Sequence, residues 1–264
     1  MRFAVLASLL IAASGSVFAS QNPPVTIDTP ELRQLRQAAE AGNRDAQYEL
    51  GMAYASGNGV ARDLAEAARW MRKAADQGLA DAQNDLGVMY QEGLGVAQDS
   101  AAAVTWWRKA AEQGVADAQN YLGIMYDNGT GVPASSDEAF RWFREAANKG
   151  HAEAQNNIGF MFEIGRAVPL DYEAALFWYR KSADQGWPPA QASLGLMYSG
   201  GNGVARDPVE ADKWFQLAAL GASGNDQTRY DGLRETIEAG MSVADIVEAR
   251  QRARDWIRER ARRR

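Results

Sequence analysis

The chain has 264 residues, 46% of them apolar and 23% charged, with no cysteine, a single histidine and a net charge of −6. The missing cysteines exclude disulfides, thiolate nucleophiles and cysteine-ligated zinc, so the chain must hold itself by packing alone. The charge is uneven: residues 250–264 carry eight arginines against Asp255 and Glu259, a net +6, leaving about −13 on the body once Arg2 is also set aside. An acidic body argues against nucleic acid as a partner of that body.

Residues 1–19 read as a secretory signal peptide. Arg2 gives a positive start, Phe3 to Ala13 is an apolar run, and Val17-Phe18-Ala19 ends it on the small residues a signal peptidase accepts. The run is too short for the roughly 20 residues that span a bilayer. The expected mature chain is exported, to the periplasm or beyond. Residues 20–30 then read as a linker, and residues 31–44 as an N-terminal capping helix in phase with the repeat that follows.

From residue 45 the chain repeats. Gly51, Gly87, Gly123, Gly159 and Gly195 stand 36 residues apart, and Trp70, Trp106, Trp142, Trp178 and Trp214 keep the same step. A fixed period of this size marks a repeat array. In the unit 81–116, Ala82, Leu86, Met89 and Tyr90 fall on one helical face, and Gly93-Leu94-Gly95 stops that first helix. Ala103, Trp106, Trp107, Ala110 and Ala111 form the stripe of a second helix, which Gly114 ends. Each unit is a helix hairpin that cannot bury its stripes alone and must stack on its neighbours. The five units are expected at 45–80, 81–116, 117–152, 153–188 and 189–221. Gly87 and its equivalents sit mid-helix, where glycine costs ~1 kcal/mol against alanine. Close approach of the two helices is the expected reason, with the small Ala110-Ala111 pair facing the glycine.

Residues 222–264 read as a C-terminal capping helix and a basic tail. Ser242 with Asp245 suggests an N-cap. Ile246, Ala249, Ala253, Trp256 and Ile257 supply an apolar face.

The sentence Ala82-Gln83, Leu86-Gly87, Met89-Tyr90, Gly93, Gly95-Val96, Ala103, Trp106, Lys109-Ala110-Ala111 resembles the Sel-one-like repeat family, relatives of tetratricopeptide repeats. It recurs five times over about two-thirds of the chain. Departures are small. Ala167 replaces a loop glycine, Phe162 a tyrosine, Glu145 and Leu217 the lysine, and the fifth unit's second helix reads one residue short. The resemblance implies an all-α, right-handed α/α superhelix (a solenoid) of five 36-residue hairpins with terminal capping helices, first helices lining its concave side. It implies an adaptor or scaffold, and for exported bacterial members a role in the envelope; it implies no shared chemistry or ligand.

Catalytic readings find little support. The G-x-G loops lack the strand, third glycine or Lys-Ser/Thr pair of a phosphate cradle. His151 occupies the junction slot held by Leu79, Val115 and Trp187, and one imidazole makes a poor metal site. Asp45, Asp81, Asp117 and Glu153 recur at first-helix starts, where they favour the helix dipole. Some cysteine-rich relatives are linked to β-lactamase activity, but the residues three before the five lysines (Trp70, Trp106, Ala146, Trp178 and Glu210) include no serine. No enzyme activity, cofactor or metal is expected.

The expected binding face lies on the first helices, opposite the core stripe. Met52, Val88, Ile124, Phe160 and Leu196 form an apolar column. One turn earlier stand Tyr48, Asn84, Asn120, Asn156 and Ala192. Aligned amides beside an apolar ladder suit a protein or peptide partner held in extended form. Packing of the apolar column between units, with the asparagines merely solvated, is the competing expectation. A carbohydrate or peptidoglycan fragment is the alternative ligand, stacked on exposed Trp106, Trp107 or Trp187. The tail arginines Arg258, Arg260, Arg262, Arg263 and Arg264 offer electrostatic contact, to an acidic partner or peripherally to anionic lipid.

Overall fold

The protein is described by a computed structural model covering residues 29–263. The expected signal peptide, residues 20–28 of the linker and Arg264 lie outside the described residues. Helix α1 (Pro30–Glu40) precedes five hairpins. These are α2 (Arg44–Ser56) with α3 (Leu64–Asp76), α4 (Ala80–Glu92) with α5 (Ser100–Glu112), and α6 (Ala116–Asn128) with α7 (Ser136–Asn148). The fourth is α8 (Ala152–Ile164) with α9 (Tyr172–Asp184), and the fifth α10 (Pro188–Gly200) with α11 (Pro208–Gly221). Helices α12 (Gly224–Glu238) and α13 (Val243–Arg263) follow, and no strand occurs among the described residues. First helices and second helices each restart every 36 residues. The described residues divide after residue 135 into two compact units, the boundary falling inside the third hairpin.

The helix punctuation is chemical. Second helices start on Asp63, Asp99, Asp171 and Asp207, whose carboxylates accept the free N–H groups of the first turn. First helices end on glycines in the left-handed region, such as Gly93 at φ 67°. Ala167 adopts that region too, at φ 62°, where an L side chain is strained. His151 caps α8 by accepting the Ala154 N–H on Nδ1 at 3.2 Å, a structural role.

A buried glutamine ladder joins each hairpin to the next, and periodicity alone did not expose its purpose. Gln47, Gln83, Gln119, Gln155 and Gln191 donate to the carbonyls of Ala39, Ala75, Ala111, Ala147 and Ala183, eight residues earlier. Those carbonyls sit at the end of the preceding helix, where the backbone has no intrahelical partner. Gln77, Gln113 and Gln185 then donate to Gln47, Gln83 and Gln155, each at 2.7 Å.

In the first unit the stripe residues Ala82, Leu86, Met89, Ala103, Trp106, Trp107, Ala110 and Ala111 are all buried. The mid-helix glycines do mark close approach, but the neighbour differs from the expected alanine pair. A Cβ on Gly87 would lie 2.5 Å from Trp107 Nε1, and one on Gly51 2.9 Å from Met71 Cγ. In the second unit Gly159 faces Tyr179 and Gly195 faces Phe215. The bulky residue after the repeating tryptophan position fills the space the glycine leaves.

The second unit departs from expectation at its end. Helix α11 has 14 residues, one more than the other second helices rather than one fewer. Two helices, not one, follow the repeats, because α12 has a weak apolar pattern and buries only Tyr230. Ser242 caps α13 as expected: its Oγ accepts the Asp245 N–H, and its hydroxyl donates to the Asp245 carboxylate at 2.8 Å. Helix α13 folds back onto α11, burying Ala249 and Ala253 and setting Trp256 edge-on to Trp214 at 6.0 Å. Ile257, expected on that face, is 44% exposed. One residue past Trp256, it is turned about 100° around the helix, away from the α11 contact.

Candidate partner-binding face and acidic pocket

The first unit carries six of the expected site residues at matching positions on α2, α4 and α6. Met52, Val88 and Ile124 are half-buried; Met52 and Tyr48 pack against the cluster formed by Ala67, Met71 and Met89. The asparagines are not solvated: Asn84 is 7% exposed and Asn120 1%. Stacking one hairpin on the next covers them. Asn84 Nδ2 donates to Asp85 Oδ1 at 3.3 Å, its backbone carbonyl accepts the Trp107 indole N–H at 3.1 Å, and its amide oxygen has no partner.

Asp85, which sequence reasoning overlooked, is the centre of this region. It is buried and accepts the Tyr48 hydroxyl on Oδ2 at 2.8 Å across a repeat boundary. Burial pushes its carboxyl up to about 7, the Tyr48 and Asn84 hydrogen bonds pull it down, and Asp81 and Asp117 push it further up. Burial, then Asp85, likewise raises the Tyr48 hydroxyl. Asp81 is raised by burial and then by Asp117. Asp81, Asn84, Asp85 and Asp117, with Val115 and Ala116, line a pocket of about 270 Å³. Little in the sequence hinted at it: position 85 holds an acid, as does Glu49 one repeat earlier, while the later equivalents are Tyr121, Asn157 and Ser193.

The second unit carries the other three. Asn156 is half-buried, while Phe160 is 46% and Leu196 45% exposed. Ile164, one turn after Phe160, is exposed as well. Leu196 also edges a pocket of about 380 Å³ with Phe215, Leu233, Ile237, Met241 and Arg206.

The tryptophans named for sugar stacking are occupied. Trp106 and Trp107 are buried, Trp107 against Tyr121 at 4.8 Å, and Trp187 is half-buried against the second unit's core.

The basic segment is helical through Arg263 and largely engaged within its own unit. Arg252 bridges Glu210 at 3.2 Å, Asp207 at 3.6 Å and Glu248 at 2.6 Å; Arg250 pairs with Glu238 at 3.3 Å. Arg258 pairs with Asp255 and Arg263 with Glu259. Arg260 donates to the Gln185 carbonyl and lies over the Trp256 ring. Arg262 is exposed.

An array of helix hairpins with a 36-residue step, joined by a glutamine ladder, defines an all-α solenoid of the helical-repeat class. The family model for the Sel1 repeat matches residues 44–79, 80–115, 116–151, 152–187 and 188–223, and the chain belongs to that family. Proteins of this family are in general protein-interaction scaffolds. A crystal structure of c5321, titled a protective antigen of uropathogenic Escherichia coli strains displaying an SLR fold, is 32% identical with a TM-score of 0.74. That match covers 98% of this chain and 56% of the other, so this chain spans little more than half of that relative. A Sel1 repeat protein from Oxalobacter formigenes is 28% identical over 90% of this chain and 97% of its own, TM-score 0.73. No curated protein matches the chain. No helix among the described residues is long and apolar enough to cross a membrane.

Proposed function

We propose that the protein is a non-enzymatic adaptor of the bacterial cell envelope that holds a protein or peptide partner on the concave face lined by its first helices. The envelope location rests on the leader-like residues 1–19. The observation that carries the binding face is the apolar column. Repeat stacking buries the stripe residues, yet Phe160 and Leu196 stay 46% and 45% exposed with Ile164 beside Phe160. In the first unit Met52, Val88 and Ile124 keep part of their surface open, while Tyr48, Asn84, Asn120 and Asn156 shape the ground beneath. Apolar side chains in a row on successive helices suit alternate residues of an extended segment.

Site-specific photocrosslinking in the native envelope tests this. A photoreactive residue at Phe160, Leu196 or Val88 should give one shared adduct; the same residue at Thr105 or Arg141, exposed on second helices, should not. Equal adducts from both helix sets, or none from the first, would overturn the reading.

A further inference from the structure

We propose that the pocket between α4 and α6 is a socket for a cationic side chain of the partner, an arginine in preference to a lysine. This deepens the adaptor reading and rests on it. Three carboxyl groups and one amide line it: Asp81, Asp85, Asp117 and Asn84. Each acid has an ordinary local reason to exist. Asp81 and Asp117 stand in the first turns of α4 and α6, where the dipole favours them. Stacking the two repeats, however, brings like charges to one cavity. Asp117 opposes ionisation of Asp81, and both oppose ionisation of the buried Asp85.

A second observation is independent of charge. Asn84 lines the same pocket, is 93% buried by its 7% exposure, and its amide oxygen has no hydrogen-bond partner. A buried acceptor without a donor costs ~1–3 kcal/mol, so the Asn84 amide oxygen calls for a donor. A guanidinium supplies one together with a positive charge: its planar fork of five N–H groups can meet carboxylates and still reach an amide oxygen. An ammonium offers one charge point and three donors, and fits such a spread of acceptors less well.

Size and chemistry narrow the occupant. At about 270 Å³ the pocket falls below the roughly 300–1,000 Å³ of small-molecule sites. It suits one side chain of a larger ligand. A metal ion fits poorly, since no group of three acidic or histidine side chains among the described residues is arranged to hold one. At the matching junction of the fourth and fifth repeats stand Glu153, Asn156, Asn157 and Pro189, one acid in place of three. The socket therefore gives the partner a register, one cation placed against the second and third repeats.

The test uses the mature chain and blocked tripeptides Gly-X-Gly with arginine, lysine, citrulline or norleucine at X. The Trp107 indole N–H, bonded to the Asn84 carbonyl, reports occupancy by NMR. The arginine peptide should shift that resonance saturably, with a dissociation constant on the order of millimolar, weakening as salt rises. Lysine should bind several-fold weaker, and isosteric but neutral citrulline at least tenfold weaker. The double variant Asp81→Asn, Asp117→Asn alters half-buried groups, so folding should hold while arginine binding drops at least tenfold. Citrulline binding as well as arginine, or unchanged arginine binding in the double variant, would overturn the socket. Crosslinks from Val88 that persist in the double variant at undiminished yield would also overturn it, yet leave the adaptor reading standing.

Discussion

Replacing Gly87 by alanine sets two effects of opposite sign against each other. Alanine is the better helix former by ~1 kcal/mol, so on an isolated helix the change would stabilise. In the folded protein the new methyl would sit 2.5 Å from Trp107 Nε1, 2.6 Å from Cδ1 and 2.9 Å from Cε2. Trp107 has little freedom to yield. It is 2% exposed, its indole N–H is held by the Asn84 carbonyl at 3.1 Å, and its ring stacks on Tyr121 at 4.8 Å. Overpacking a filled core costs ~1–3 kcal/mol, and pushing the indole off its acceptor leaves a buried donor at ~1–3 kcal/mol more. Subtracting the propensity gain, we expect a net loss of about 1–5 kcal/mol, centred near 3. Gly51→Ala provides the comparison, because there the nearest atom, Met71 Cγ, lies at 2.9 Å, with the Ala67 carbonyl oxygen at 3.2 Å and the Met71 backbone nitrogen at 3.3 Å, a smaller overlap that breaks no hydrogen bond of a buried ring. Its loss should be smaller than that of Gly87→Ala. Urea unfolding followed by circular dichroism reads both, and hydrogen exchange should place the Gly87 effect in α4 and α5. A Gly87→Ala protein as stable as wild type, or less perturbed than Gly51→Ala, would refute the steric account. Trp107→Leu in the Gly87→Ala background should recover part of the loss, which a double-mutant cycle measures.

Three further outcomes follow from the same packing. Ala167→Gly should raise stability by about 0.5–1 kcal/mol, since relief of ~1–2 kcal/mol of left-handed strain outweighs glycine's extra unfolded-state freedom; a lower urea midpoint would count against it. Gln83→Met should cost about 0.5–1.5 kcal/mol by removing a buried hydrogen bond to the Ala75 carbonyl, which keeps the Gly78 N–H, while Gln113→Met, whose amide is exposed, should cost less; equal losses would deny the ladder its role. Asp212 is fully buried, and burial, then Glu238, pushes its carboxyl up to about 6, with Arg234 and Arg250 opposing. The folded state thus holds a proton that the unfolded chain releases near 3.8, so this residue's contribution to stability falls between about pH 4 and 6 at up to ~1.4 kcal/mol per unit. Asp212→Asn should remove that fall, gaining on wild type at pH 7.5 relative to pH 4.5; an equal difference at both values would contradict it.

The ends of the chain show where reading by pattern stops. Ser242 and Asp245 announced α13 because a cap is a local bond between neighbours. Helix α12 went unseen because it buries only Tyr230, so its apolar pattern is too sparse to signal a face. Arg252 and Arg260 of α13 looked like part of an unpaired basic tail, since Glu210, Asp207 and the Gln185 carbonyl lie 42 to 75 residues away. Asn84 and Asn120 looked like open amides for the same reason: a helical wheel shows which side they share, not what the next hairpin lays over it.

The sequence by itself determined the period, the helices and the family. Each of those depends on residues a few positions apart, repeated five times, and short-range backbone chemistry forces them: apolar spacing, aspartate caps, left-handed glycines. Only the tertiary structure decided that Trp107 rather than Ala110 fills the space at Gly87. It alone decided that Gln83 closes a helix end in the hairpin before it, and that Asp81, Asp85 and Asp117 share one pocket. Those pairings join residues on different helices. Their energies depend on which side chains meet once whole hairpins stack, and a helical period carries no record of that meeting.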